Sequence, residues 1–324
     1  MKNSKTIFAF AVLAALASCS NEHVISQPDE VATPIRIKAN VGAVATKAAT
    51  DVQNTQFDNG EKVNVYIFEN KGDKPNEEYT YGEVEYTADG SGNLNTTTTQ
   101  YYPANGHGID VIGVYPTTVT MSTNQKFSVN EDQSSPDKYK MSDLMFASVS
   151  NHTKKYGDVK LDFKHQLSKI IVKLNRGNGL NENDLVNATV KICGTVRECE
   201  IPTVSLLGMG TIAKKDGGSP SNITVGEWSS DVENDGIAAI VVPQVVPKGT
   251  TLFEVTLQNS GATYSYTTPT EESSQNVVFQ PGTVHTYTLT LTTGEIELSS
   301  TITPWKQGHG DSYNAELKYP DSNN

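Results

Sequence analysis

Positive charge, cysteine, tryptophan and helix-period patterning are all scarce in this chain. Lys and Arg number 25 against 37 Asp and Glu, for a formal net charge of -12. That balance excludes a nucleic-acid partner and a polybasic membrane patch, and it reads as a solvated acidic surface. The six histidines are scattered, and none pairs at metal-ligand spacing beside a carboxylate cluster, so no metal and no cofactor are expected. Gly308-His309-Gly310-Asp311-Ser312 places no Ser between its glycines, so it is not a nucleophile elbow. Gly177-Asn178-Gly179 and Gly208-Met209-Gly210 open no helix that could hold phosphate. An enzyme is therefore not expected. The two tryptophans, Trp228 and Trp305, suit core or interface packing better than sugar stacking.

Long apolar runs are absent except at the start. Lys2 and Lys5 precede an uncharged, mostly apolar stretch from Ile7 to Leu16, too short to remain as a membrane-spanning helix. Leu16-Ala17-Ser18-Cys19 follows as a lipobox. Residues 1–18 are thus expected to be a cleaved lipoprotein signal, with the Cys19 thiol carrying a diacylglycerol. Residues 19–32 are polar, include Pro28, and read as a flexible tether. The product is an exported protein of roughly 300 residues, room for one large or two ordinary domains.

The remainder alternates in the manner of strands. Ile35-Arg36-Ile37-Lys38-Ala39-Asn40-Val41 has a period of two, which predicts a strand with one buried face. Val44 to Thr50 has small side chains and no period, and reads as an exposed loop. Phe57 to Lys62 is a turn, and Val63, Val65 and Ile67 share the next strand's buried face. Ile109 to Tyr115 predicts a buried strand, Gln125 to Lys140 a long polar loop, and Asp143 to Ala147 a short apolar island. Val159, Leu161 and Phe163 alternate with charged residues and lead into Ile170-Ile171-Val172. Further strands are expected at Ala188 to Ile192, Ile237 to Val242, Leu252 to Leu257, Val284 to Leu291 and Ile296 to Ile302. Short strands at even spacing predict an all-β chain of two sandwiches in tandem, over 33–165 and 166–324, with the boundary near His165. Cys193 and Cys199 are candidates for a disulfide, which export permits. On one straight strand they would stand about 20 Å apart at roughly 3.3 Å per residue. They can bridge only if Gly194 to Glu198 doubles back.

Several segments, in order, carry a resemblance. They are Cys19; Ala45-Thr46-Lys47-Ala48; Phe57-Asp58-Asn59-Gly60-Glu61-Lys62-Val63; Tyr101-Tyr102-Pro103; Tyr115-Pro116; Asp143-Leu144-Met145-Phe146-Ala147; Leu161 to Lys169; and Ile302-Thr303-Pro304-Trp305. Together they resemble the fimbrillin-like family, the Mfa-like pilin lipoproteins of type V pili. The resemblance implies two transthyretin-like β-sandwich domains and a subunit anchored by lipid in the outer membrane, exposed at the surface in a fimbrium. It implies that a trypsin-like maturation protease cuts after a basic residue in the loop behind the first strand, and that another pilin subunit supplies a replacement strand. The cut carries over to Lys47 and Ala48, with Lys47 standing where the family often has Arg. The displaced strand is Ile35, Ile37, Ala39 and Val41. A donor strand is expected between Ile296 and Tyr319, with Ile296, Leu298 and Ile302 on one face and Asn314 to Tyr319 as a second piece. The alternative is a surface lipoprotein that binds glycan or host protein without polymerising.

Overall fold

The computed structural model describes residues 32–42, 56–72, 81–121, 125–181, 183–201, 212–227, 236–272, 276–294 and 296–304. The first half holds β1 (Ile37–Val41), β2 (Lys62–Asn70), β3 (Glu83–Ala88), β4 (Asn93–Asn95), β5 (Gly108–Tyr115), β6 (Gln125–Ser128), β7 (Met145–His152) and β8 (Val159–His165). The second holds β9 (Ser168–Arg176), β10 (Thr189–Thr195), β11 (Glu198–Ile201), β12 (Ala213–Lys214), β13 (Ser221–Glu227), β14 (Ile237–Val241), β15 (Gln244–Val246), β16 (Thr251–Thr256), β17 (Thr263–Thr267), β18 (Val277–Phe279), β19 (Thr283–Leu291) and β20 (Ile296–Pro304). One short α-helix, α1 (Pro136–Lys140), and a 3₁₀ turn at Lys154–Tyr156 are the helical elements among the described residues. The chain is all-β, as its period-two patterning requires.

Seven strands of the first half close on themselves in the order β1-β4-β3-β2-β5-β7-β8. Their inward side chains form one core, which includes Ile37, Val41, Val63, Val65, Ile67, Val111, Leu161 and Phe163. The outward faces are not all solvated. Tyr66, Phe68, Ile112, Val114 and Phe146 turn the other way and join the core of the second half. This explains why β5 is buried at all eight positions and why β2 is apolar on both faces. Sequence periodicity assigns β2 only the face of Val63, Val65 and Ile67.

The second half is built on two four-stranded sheets, β13-β10-β16-β17 and β14-β9-β19-β20. Small sheets β12-β11-β6 and β15-β18 flank them. Of the two possibilities the sequence allows here, one long strand or two strands joined by a kink, the chain forms two, β8 and β9, separated at Gln166–Leu167. There Gln166 N–H donates to the Leu144 carbonyl at 2.9 Å, and the Leu167 carbonyl accepts from Gly282 N–H at 2.9 Å. The chain thereby leaves one sheet and enters the next.

Gln125 to Lys140 is not a long loop. Its first residues form β6, whose Phe127 is buried and lies opposite Cys199 on β11. Its last residues form α1, capped by the Ser135 side chain, which accepts from Lys138 N–H, with Pro136 in the first turn and Tyr139 buried. One apolar residue among polar neighbours is too weak a signal for a strand whose partner lies far along the chain.

His285 is the most perturbed histidine of the second core. It lies edge-on to Phe279 at 5.1 Å and is 1% exposed. Thr283 Oγ1 donates to the Gln280 carbonyl at 2.7 Å, so it accepts from His285 Nε2–H at 3.0 Å. Nδ1 then has no partner, the arrangement of a neutral ring. Burial lowers its pKa to about 4. The unfolded chain, with an ordinary histidine, binds this proton first, so stability is present above about pH 6.5 and is lost as pH falls toward 4. The loss from this residue is on the order of 3 kcal/mol. We expect His285→Phe to remove most of that dependence, measured as urea midpoints at pH 7 and pH 4.5; an unchanged pH slope contradicts the assignment.

Candidate functional site: the first strand and its groove

β1 closes the barrel. On one side it runs parallel to β8, paired from Ile37↔Val159 to Val41↔Phe163. On the other it runs antiparallel to β4, paired only at Ile37↔Leu94 and Lys38↔Asn93. Flanking backbone bonds extend the hold. Ile35 N–H donates to the Gln100 carbonyl at 2.8 Å, Ala39 N–H to Gly92 at 2.9 Å, Gly42 N–H to Phe163 at 3.3 Å, and the Arg36 carbonyl accepts from Val159 N–H at 2.8 Å.

The four residues expected on the inward face of the first strand are buried. Ile35, Ile37, Ala39 and Val41 are at most 6% exposed and sit in the barrel core. Each buried branched aliphatic side chain contributes roughly 1.5–3 kcal/mol. The alternate residues face out. Lys38 pairs with Asp158 at 3.2 Å, and Asn40 donates to Asp162 Oδ1 at 2.8 Å. Exposed contacts of this kind contribute little.

The groove's floor is aromatic. Phe57 lies 5.0 Å edge-on from Phe163 and 5.2 Å from Tyr115. Gly113 on β5 makes room for Phe163, since a Cβ there would stand 2.4 Å from the ring's ζ carbon. Sequence reading treats Phe57 as part of a turn, and the turn is there, with Gly60 at φ +91°. That its first residue plugs the barrel has no local signal.

The end of β1 is held by a buried clamp. His165 Nε2 stands 2.8 Å from the Gly42 carbonyl, and Nδ1 stands 2.9 and 3.0 Å from the Asp143 carboxylate oxygens. Both ring nitrogens are thus engaged, one by a backbone carbonyl and one by a carboxyl group. Both side chains are almost fully buried, Asp143 at 3% and His165 at 4% exposure. The clamp joins the β7–β8 pair to the first residue beyond β1.

Other expected site residues lie apart from this groove. Ile296, Leu298 and Ile302 lie on β20, which pairs with β19 from Ile296↔Leu291 to Pro304↔Thr283. Ile296 and Leu298 pack partly against the second core, while Ile302 is 41% exposed. Cys193 and Cys199 are free, buried thiols. The chain does bend between them, with Gly194 at φ +68°, but it passes from β10 into β11 of another sheet instead of doubling back. Burial pushes their thiols up to about 11 and about 12, so neither is a ready thiolate. Among the described residues no three His, Cys, Asp or Glu side chains gather as metal ligands. Cys19, Lys47, Ala48, Trp228, Trp305, Gly308 to Ser312 and Asn314 to Tyr319 lie outside the described residues.

The arrangement defines an all-β protein whose first barrel is completed by one short N-terminal strand seated in a groove. The fimbrillin-like family model matches residues 46–305, and the chain belongs to that family. A relative from Bacteroides uniformis, named "Putative fimbrium subunit Fim1C", is 23% identical over 96% of this chain and 97% of its own. Two crystal structures titled as cell adhesion proteins share the fold. The one from Bacteroides uniformis has a TM-score of 0.63 at 22% identity, covering 86% of this chain and 100% of its own. The one from Bacteroides ovatus has a TM-score of 0.66 at 20% identity, covering 85% and 98%.

Breaking the clamp tests the site's construction. His165→Ala strips the buried Asp143 carboxylate of this partner and should lower stability by about 3–5 kcal/mol. The double change His165→Leu with Asp143→Leu should cost less than the single one. Urea denaturation of the three proteins measures this; a loss below about 1 kcal/mol for His165→Ala contradicts it.

Proposed function

We propose that this chain is a structural subunit of a surface fimbrium, assembled by strand exchange. It is exported as a lipoprotein, acylated on Cys19 and tethered to the outer membrane through residues 19–32. Residues 33–165 and 166–324 act as the two domains of the subunit. A trypsin-like protease cuts after Lys47. β1 then leaves, and a strand from a neighbouring pilin subunit takes its place. The role is structural and not catalytic.

One observation carries the reading. The segment from Ile35 to Val41 is held by backbone bonds to β8 and β4 and by four inward side chains, and β1 ends at Val41, six residues before Lys47. Its removal would leave the edges of β4 and β8 facing each other across a gap of one strand. Unpaired edges are an aggregation hazard, so a self-strand that covers the gap until assembly has a physical rationale. Any strand with alternate apolar residues can replace it at little net change in backbone bonds.

In this reading the donor comes from the region between Ile296 and Tyr319, and the part beyond β20 is the more readily freed. Freeing β20 itself would cost its ladder with β19, whereas residues 305–319 follow it directly and include the alternating run Asn314 to Tyr319.

Lys47→Ala should block polymer formation and leave folding and export intact. Native assembly on cells followed by electron microscopy measures the first, and N-terminal sequencing of surface material should find Ala48 in the unsubstituted protein. Normal filaments from Lys47→Ala would refute the cut site.

A further inference from the structure

The ladder between β1 and β4 stops after the pairs Lys38↔Asn93 and Ile37↔Leu94, and the next backbone hold is Ile35 N–H on the Gln100 carbonyl at 2.8 Å. The step from Ile37 to Ile35 is thus matched by a longer step from Leu94 to Gln100. The chain between them bows away as Asn95-Thr96-Thr97-Thr98-Thr99, tightened by Thr98 N–H on Thr96 Oγ1 at 3.3 Å. Between this bow and the segment Pro34 to Lys38 opens a cleft of about 420 Å³. That volume falls in the range of small-molecule sites, about 300–1,000 Å³.

The rim of the cleft is polar and locally positive. Arg36 and Lys38 line it from one side, and Asn95, Thr96 and Thr99 from the other. Lys38 pairs with Asp158 at 3.2 Å. Arg36, Asn95 and Thr99 are exposed, and their side chains have no hydrogen-bond or ion-pair partner among the described residues. Lys160 stands opposite Lys38 on β8 and is exposed as well. Three cations and one carboxylate therefore share this spot on a chain whose formal net charge is -12. A small positive area on an acidic chain favours a compact anionic ligand over a long polyanion, which the surrounding charge repels. A guanidinium presents a planar fork that a carboxylate meets with two hydrogen bonds. Amides and hydroxyls both donate and accept, as the hydroxyl groups of a sugar ring require.

We infer that this cleft is a binding site for a carboxylated saccharide, one that bears a uronic or a sialic acid residue. Arg36 takes the carboxylate. Asn95 and Thr99 take ring hydroxyls from the opposite wall, and Asp158 accepts one more beside Lys38. The ligand bridges the two walls, so its binding free energy adds to the stability of the seated first strand. The site goes beyond the fimbrial reading and does not need strand exchange, so its failure leaves that reading untouched.

The test uses the full, uncut chain with three probes: methyl β-glucuronide, the methyl α-glycoside of N-acetylneuraminic acid, and methyl β-glucoside as the neutral control. Saturation-transfer NMR reads contact and calorimetry reads affinity. One-to-one binding of either acid, about tenfold or more tighter than the neutral glucoside and than acetate, supports the site, and the preferred acid tells the two sugar classes apart. Arg36→Gln should weaken that binding by about ten- to a hundredfold and leave the thermal midpoint unchanged. Thr99→Val should weaken it by about three- to tenfold. Lys164→Gln, exposed at the far end of β8, should change neither affinity nor midpoint. Binding of neither acid, equal binding of the neutral glucoside, or full affinity in Arg36→Gln overturns the assignment. Acetate bound as tightly as the acids overturns it too, because the cleft is then a simple anion contact.

Discussion

A sheet edge cannot be left bare. Its amides and carbonyls need partners, and its apolar face needs cover. In this protein the need falls on the gap between β4 and β8, and β1 meets it alone. Seven strands form a closed ring because five residues sit in that gap. The inward row of Ile35, Ile37, Ala39 and Val41 supplies apolar cover, and the backbone supplies the bonds. The strand is held by many weak contacts and by no side-chain covalent bond among the described residues.

Around that strand the sequence makes specific accommodations. Gly113 gives up its side chain so that Phe163 can lie against β5, and Phe57 returns from the turn to fill the space beneath. His165, the last residue of β8, bonds the Gly42 carbonyl through one ring nitrogen and the carboxylate of Asp143, just before β7, through the other. The second core braces the barrel from outside, through Tyr66, Phe68, Ile112 and Phe146.

Much of this was legible in the sequence because alternation is local. The run from Ile35 to Val41, the Val159 to Phe163 strand and the apolar Ile109 to Tyr115 segment announce themselves through period and burial. The expectation that this strand is the one to be displaced comes from resemblance alone, since its period matches that of any half-buried strand. What stayed hidden was non-local. Phe127 is a single apolar residue whose partner strand begins at Glu198. His165 sits in a charged alternating run, and nothing nearby says that Asp143 and Gly42 converge on it. Tyr86 reads as an ordinary strand tyrosine until its hydroxyl is found unpartnered. Cys193 and Cys199 are close enough in sequence to invite a bridge. Only the change of sheet between them shows why they stay free thiols.

The central claim is that the β4–β8 gap accepts a strand from outside the chain. Its most direct measurement is complementation of a protein beginning at Ala48 by a synthetic peptide of residues 33–42. The account predicts that the shortened protein melts well below the full chain, that it binds the peptide one to one in calorimetry, and that binding restores the lost stability. A shortened protein that matches the full chain in thermal midpoint and takes up no peptide would contradict it.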